Sequence, residues 1–167
     1  MSDISIRAFD PAEWRMLRDF RLEALKSAPG VYALSHEECA SWTEERWRSG
    51  ISAPTHQTFG LFDGTSLIGI TGVFTWDSDP SGRTALLVMS YIEPGYRGRG
   101  LSQKLYAARL DWIRRSGRFH TVHVSHRASN EASRRANQRH GFVKTGAAPF
   151  AWPDGTLEDE VHYELAL

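Results

Sequence analysis

The chain predicts one α/β domain of the α+β kind: a single mixed, mostly antiparallel central sheet of about seven strands with about four helices. Three observations carry this expectation. The 167 residues suit one domain with a sizeable core. No repeat and no linker divides them, so residues 1–167 read as one unit. The periodic segments run β, α, α, β, β, β, α, β, α, β, β, with hairpins first and helical crossovers later.

Each element has a local cause. Ile4 to Phe9 alternates and reads as the opening strand. Asp10, Pro11 and Glu13 form a helix start, with Asp10 as cap and Glu13 closing a capping box. Leu17, Phe20 and Ala24 give that helix an inward face, and Pro29-Gly30 ends it. Ser35-x-x-Glu38 and Ser41-x-x-Glu44 are capping boxes for a short helix or helix pair over about 36–49, closing at Gly50. Trp42 and Trp47 are expected to cover the core there. Gln57–Phe62 and Leu67–Phe74 form a hairpin about Asp63-Gly64, and a strand over about 83–92 follows. The next helix presents Leu101, Leu105, Ala108 and Trp112 inward, with Gly117 past its end. Thr121–Val124 is a short strand, and Ser129 or Asn130 caps a helix that Gly141 ends. Phe142-Val143 opens another strand, Ala147–Gly155 is a loop, and Glu160–Leu165 is the last strand.

Composition excludes several classes of protein. Formal net charge is zero, which argues against broad binding to nucleic acid. The positive charge is mainly arginine, thickening at Arg97/Arg99, Arg109/Arg114/Arg115/Arg118 and Arg127/Arg134/Arg135/Arg139. These are either solvated helix faces or an anion site shared by two helices. Cys39 is the only cysteine, so it forms no internal disulfide and reads as a small apolar residue. No signal peptide is evident and no apolar run approaches ~18–20 residues, so the chain is expected to be soluble and cytoplasmic, with no membrane partner.

The stretch that organises the rest is Tyr91-Ile92-Glu93-Pro94-Gly95-Tyr96-Arg97-Gly98-Arg99-Gly100-Leu101. A strand leads in and a helix leads out. Glycines let the backbone approach a ligand closely. The helix start supplies unpaired N–H groups and the positive end of its dipole, the makings of a phosphate site. Arg97 and Arg99 add potential charge-assisted bonds.

Met89 to Ser102 resembles motif A of the GNAT superfamily, the acyl-CoA-dependent N-acetyltransferases. Its core, Arg/Gln-x-x-Gly-x-Gly/Ala, falls on Arg97, Gly100 and Ser102. Asn130 and Gly141-Phe142 look like the family's Asn-x-x-Ala-x-x-x-Tyr-x-x-x-Gly-Phe. The element order fits that fold from end to end. The resemblance implies acetyl-CoA or a related acyl-CoA as cosubstrate, and no metal. It places the pyrophosphate on backbone N–H groups of Arg97, Gly98, Arg99, Gly100, Leu101 and Ser102. The pantetheine arm would pair with the backbone of Tyr91 and Ile92 and with the Asn130 side chain. Homodimers are common in the superfamily, so one is a possible state here. Two residues depart from the pattern. Ser102 replaces Gly or Ala but is still small. Asn137 stands where many members have the Tyr thought to protonate the leaving thiolate, and Asn is no acid at neutral pH.

The family reaction is attack of an amine on a thioester. An ammonium with pKa about 10 must first lose a proton. The leaving thiol has a pKa of about 8.5, so a strong acid helps but is not required. Asn137 is the catalytic candidate as a hydrogen-bond donor to the sulfur, as well as a cofactor-binding residue. His120, His123 and His126 are spaced by three, which puts His123 on the opposite strand face and argues against one metal site. His126 is either a base or a strand-end histidine bonded to backbone or water. Glu93 is expected to face solvent. The acceptor pocket is expected from residues 29–37 and 146–157, with Tyr32, His36, Glu37, Phe150, Trp152 and Asp154, joined by Trp76 and Asp77. Those aromatics either bind a cationic amine or cover the core edge. Three functions fit: an N-acetyltransferase for a primary amine of a small molecule (an amino acid, an amine metabolite or an antimicrobial), a protein or peptide N-acetyltransferase (N-terminal or lysine), and a non-catalytic CoA-binding regulatory module.

Overall fold

A computed structural model describes residues 3–167. Strand β1 (Ile4–Ala8) leads into a 3-10 turn and helix α1 (Trp14–Ser27). The Asp10–Glu13 capping box forms as expected, and such a cap contributes about 1 kcal/mol. Helices α2 (His36–Ala40) and α3 (Glu44–Ser49) follow. The Ser35 box caps α2, but the Ser41 box does not form. Ser41 instead ends α2, donating its hydroxyl to the Glu38 carbonyl, and Thr43 caps α3. Two separate helices therefore occupy 36–49, which raises the count to five.

The described strands form one sheet in the order β1-β3-β4-β5-β6-β8-β7, with the two-residue β2 (Ser52–Ala53) paired to β3 (His56–Asp63). β4 (Ser66–Thr75) and β5 (Thr84–Ile92) continue the antiparallel part, and helix α4 (Ser102–Ser116) crosses to β6 (Thr121–Arg127). Helix α5 (Glu131–Arg139), β7 (Val143–Ala151) and β8 (Leu157–Ala166) complete the chain. The expected loop over Ala147–Gly155 is mostly strand. Pro149 misled the sequence reading because proline lacks the ladder donor, but β7 is an edge strand, where proline is tolerated. β6 and β8 also run longer than expected, because their pairing continues from Thr121 opposite Ala166 to Arg127 opposite Glu160.

Helix α4 is turned by about one position from its expected face. Leu105, Tyr106, Arg109, Leu110 and Ile113 are buried, while Leu101, Ala108 and Trp112 only flank them. Pattern reading excludes arginine from a core face, and Arg109 is the residue that shifts it.

Two irregularities in β5 shape the centre of the sheet. β5 and β6 are parallel neighbours only from Thr84 opposite Thr121 to Leu86 opposite His123. Beyond that point their facing edges share no ladder, so the sheet opens there. The second irregularity is a bulge: Ile70 pairs with Tyr91 but Gly72 pairs with Val88. Met89 takes φ 62°, a left-handed conformation that costs a non-glycine residue about 1–2 kcal/mol. A Cβ on Gly72 would lie 2.7 Å from Met89 Cε, so the glycine makes room for the bulge.

The core has three clusters. One joins α4 to β5, β6 and β8 through Leu87, Ile113, Val122 and Tyr163. A small one joins Leu105 of α4 to Leu61 of β3 and Ile68 of β4. The last packs α1 to α3 on β3, β4 and β5 through Leu17, Trp47, Phe62 and Tyr91. Cys39 is fully buried there as an apolar residue, and burial pushes its thiol pKa up. Among the described residues no helix is long and apolar enough to cross a membrane.

Candidate active site

A cleft of about 860 Å³ enters where β5 and β6 part. Its walls include Leu86 to Ser90 of β5, Val124 to His126 of β6, Tyr106 and Arg109 of α4, and Asn130 and Asn137 about α5. The far wall comes from α1 and the loop after it, with Arg21 and Tyr32.

At one end of β5 the glycine-rich loop carries the geometry expected of it. Gly98 and Gly100 have φ of 75° and 72°. A Cβ on either would meet no protein atom within 4 Å, so their outer faces are open to a ligand. Among the described residues, the N–H groups of Gly98, Arg99, Gly100 and Leu101 donate to no protein acceptor. Ser102 opens α4, so its N–H also lacks an intrahelical partner. These donors and the helix dipole favour an anion. The two arginines are partly engaged already. Arg97 Nε donates to the Ile92 carbonyl at 2.8 Å, and Arg99 Nη2 donates to the Gly95 carbonyl at 3.1 Å. Tyr91 turns its ring into the core, where its hydroxyl lies 3.2 Å from Ser27 Oγ. Tyr91 and Ile92 follow the part of β5 that lines the cleft.

Across the cleft, Asn130 caps α5, and its Oδ1 accepts the Ser133 N–H at 3.1 Å. Its amide nitrogen remains for another partner. Asn137 is 1% exposed. The Tyr106 hydroxyl donates to Asn137 Oδ1, and this fixes the amide so that Nδ2 is left buried with no partner among the described residues. An orphaned buried donor beside a cleft is costly unless a ligand meets it. Tyr106 was not singled out from the sequence. Its aromatic type is that of any core residue, and only the α4–α5 contact gives it a role. Burial raises its pKa. Arg109 beneath it lies 4.7 Å from the Tyr106 ring centroid, and burial brings the guanidinium pKa down to about 10.

Histidine roles separate cleanly. His123 stacks on Trp76 at 4.0 Å, and burial, reinforced by His162, lowers its pKa. His126 lies 2.7 Å from the Arg127 carbonyl through Nδ1, the backbone bond weighed from the sequence, yet its buried Nε2 has no partner among the described residues. With the proton on Nδ1, Nε2 carries a free lone pair. His56, also on the cleft, uses both nitrogens on Thr55 and Ser49. No group of three or more metal-ligating residues exists among the described residues.

Of the expected acceptor residues, Tyr32, Trp76, Asp77 and Trp152 line the cleft; His36, Glu37, Phe150 and Asp154 do not. Trp152 is 4% exposed and donates to the Glu158 carbonyl, so it also covers the core edge. Asp154 instead joins Glu158 in holding Arg127, which also donates to the Gly30 carbonyl at 3.0 Å. That cluster ties the β7–β8 turn to the loop after α1.

Comparison with known proteins agrees with this geometry. No curated protein matches the chain in sequence. A solved acetyltransferase of the GNAT family from Streptococcus pneumoniae is 20% identical, with TM-score 0.80 over 99% of this chain and 100% of that one. A putative acetyltransferase from Salmonella typhimurium, yncA, solved with its cofactor acetyl-CoA, is 21% identical, with TM-score 0.78 over 99% and 95%. RimL, a ribosomal L7/L12 alpha-N-protein acetyltransferase in complex with coenzyme A, is 16% identical, with TM-score 0.77 over 98% and 94%. The family model for the acetyltransferase (GNAT) family matches residues 14–142, so the chain belongs to that family and is an acetyltransferase.

Proposed function

We propose that this protein transfers the acetyl group of acetyl-CoA to a primary amine of a small molecule, by direct attack in a ternary complex. One observation carries the donor assignment: the free N–H groups of Gly98 to Leu101, beneath glycines with open outer faces, at the start of α4. The thioester supplies an activated acyl group with a thiol as leaving group. The N–H groups of Gly98, Arg99, Gly100, Leu101 and Ser102 hold the pyrophosphate, with the Arg97 side chain beside them; the Arg97 N–H itself donates to the Pro94 carbonyl. Tyr91, Ile92 and the amide nitrogen of Asn130 hold the pantetheine arm.

The rest follows from the cleft. His126 Nε2 accepts the proton of the acceptor ammonium, directly or through water. The amine nitrogen then bonds to the acyl carbon, the carbon–sulfur bond breaks, and the second proton shed by the nitrogen passes to the departing thiolate, giving the amide and the CoA thiol. A backbone N–H of the β5 bulge segment donates to the carbonyl oxygen as it gains charge. Asn137 Nδ2 donates to the departing sulfur, and Tyr106 keeps that amide facing the cleft.

A protein or peptide acceptor is the second reading, favoured by the fold shared with RimL. Leu17 and Arg21, buried on the far wall, favour the small molecule. A panel of free amines and peptides, followed by release of CoA thiol, tests both. Turnover of amines and not peptides is expected. Acetyl-CoA binding with no turnover on any acceptor would leave the non-catalytic module.

A further inference from the structure

Arg21 is a buried cation that no carboxylate among the described residues neutralises; its neighbours are the Tyr32 ring and the buried Cys39 thiol. It lies on α1, is 3% exposed, and lines the cleft. Its buried Nε and Nη1 have no hydrogen-bond partner among the described residues. Every ion pair among the described residues lies elsewhere. A buried guanidinium without acceptors is expensive, and desolvation lowers its pKa. The contrast with Arg127 is direct: that arginine meets Asp154, Glu158 and the Gly30 carbonyl.

Its position is as informative as its isolation. The Arg21 guanidinium carbon lies 4.8 Å from the centroid of the Tyr32 ring, and the Tyr32 hydroxyl donates to the Ser90 carbonyl at 2.8 Å. Ser90 belongs to the β5 bulge, beside Met89. One phenol ring therefore separates the guanidinium from the strand that lines the reacting end of the cleft. Glu160, held by Ser125 Oγ at 2.6 Å, lines the same cleft with the opposite charge.

We propose that Arg21 binds a carboxylate of the acceptor, and that the acceptor is a small amino-acid-like molecule bearing that carboxylate near its amine. The planar fork of arginine matches a carboxylate through paired N–H donors, and Tyr32 holds the fork in plane. Glu160 then suits the ammonium. The inference rests on the N-acetyltransferase reading above and narrows its acceptor.

The test uses the intact protein, L-amino acids, ω-amino acids, the primary amide of each, and N-terminal peptides. Thiol release gives kcat/KM, and calorimetry in saturating CoA gives acceptor binding. Acids are expected to exceed their own amides by about 100-fold, the worth of charged hydrogen bonds in a desolvated site. Arg21→Met should reduce that ratio to near one, and Arg21→Lys should leave part of it. The ratio compares two acceptors on one preparation, so partial misfolding of a variant does not move it. Equal use of acid and amide, preference for peptides, or an unchanged ratio in Arg21→Met overturns the proposal. So does CoA binding with no acceptor bound or acetylated. Failure to bind acetyl-CoA would overturn the transferase reading itself, and calorimetry with CoA alone reports that separately.

Discussion

The proposed donor and acceptor sites are built from different materials. The proposed donor site, Gly98 to Ser102, presents backbone: a run of N–H groups, two left-handed glycines and a helix start, all within a few consecutive residues. The acceptor end presents side chains from separate elements: Arg21 from α1, Tyr32 from the following loop, Trp76 after β4 and Glu160 from β8. A backbone site recognises a group common to a whole family, because it depends on φ, ψ and the lack of side chains. A side-chain site is free to vary, because each member changes by substitution without disturbing the loop. The proposed donor site is therefore generic and the proposed acceptor site individual.

The largest effect should come from breaking the backbone end. Gly100→Val places a β-branched side chain at φ 72° and over the open face. Acetyl-CoA affinity should fall by about 100-fold or more, read by calorimetry. Unchanged affinity would remove the pyrophosphate from this loop. Asn137→Ala should act on turnover instead, with kcat down by about 100-fold and the KM for acetyl-CoA little changed. A fall in affinity alone would make Asn137 a cofactor contact only. Tyr106→Phe tests the hydrogen bond that orients Asn137 and should lower kcat by about 10-fold in the same pattern.

The smallest effect is on the scaffold of the acceptor end. Arg127 holds the carboxyl groups of Asp154 and Glu158 below their ordinary values, chiefly by direct hydrogen bonds. Folded values below unfolded ones mean that this stabilisation is present above the ordinary carboxylate range. It is lost as pH falls through the depressed values. Acid should loosen the tie between the β7–β8 turn and Gly30 before the sheet unfolds, seen as an early change in Trp152 fluorescence. Arg127→Met should abolish that early step, and coincident transitions in the unaltered protein would show that the cluster does not act as a separate unit.

Legibility followed the same division. Asp10, Ser35, Gly50 and Gly117 end or begin helices as their types require, because caps are local. The Ser41 box failed because Thr43 offered a competing cap two residues on. Pro149 suggested a loop because a proline cannot report that its strand lies at the sheet edge. Arg109 hid the true face of α4, since a buried arginine breaks the apolar pattern. Asn130 and Asn137 could be singled out as candidates by their spacing, whereas Tyr106 and Arg21 could not, because nothing in their neighbourhoods along the chain distinguishes them.

By itself, the sequence determined the element order, the glycine-rich turn between a strand and a helix, and the family. These depend on residues close together in the chain, where periodicity, caps and φ preferences act. The tertiary structure decided where β5 and β6 part, the bulge at Met89, the orientation of Asn137 by Tyr106, and the unpaired state of Arg21. Each of these depends on which distant side chains are brought within a few ångströms. That is set by packing of the whole sheet and its helices and not by any local stretch.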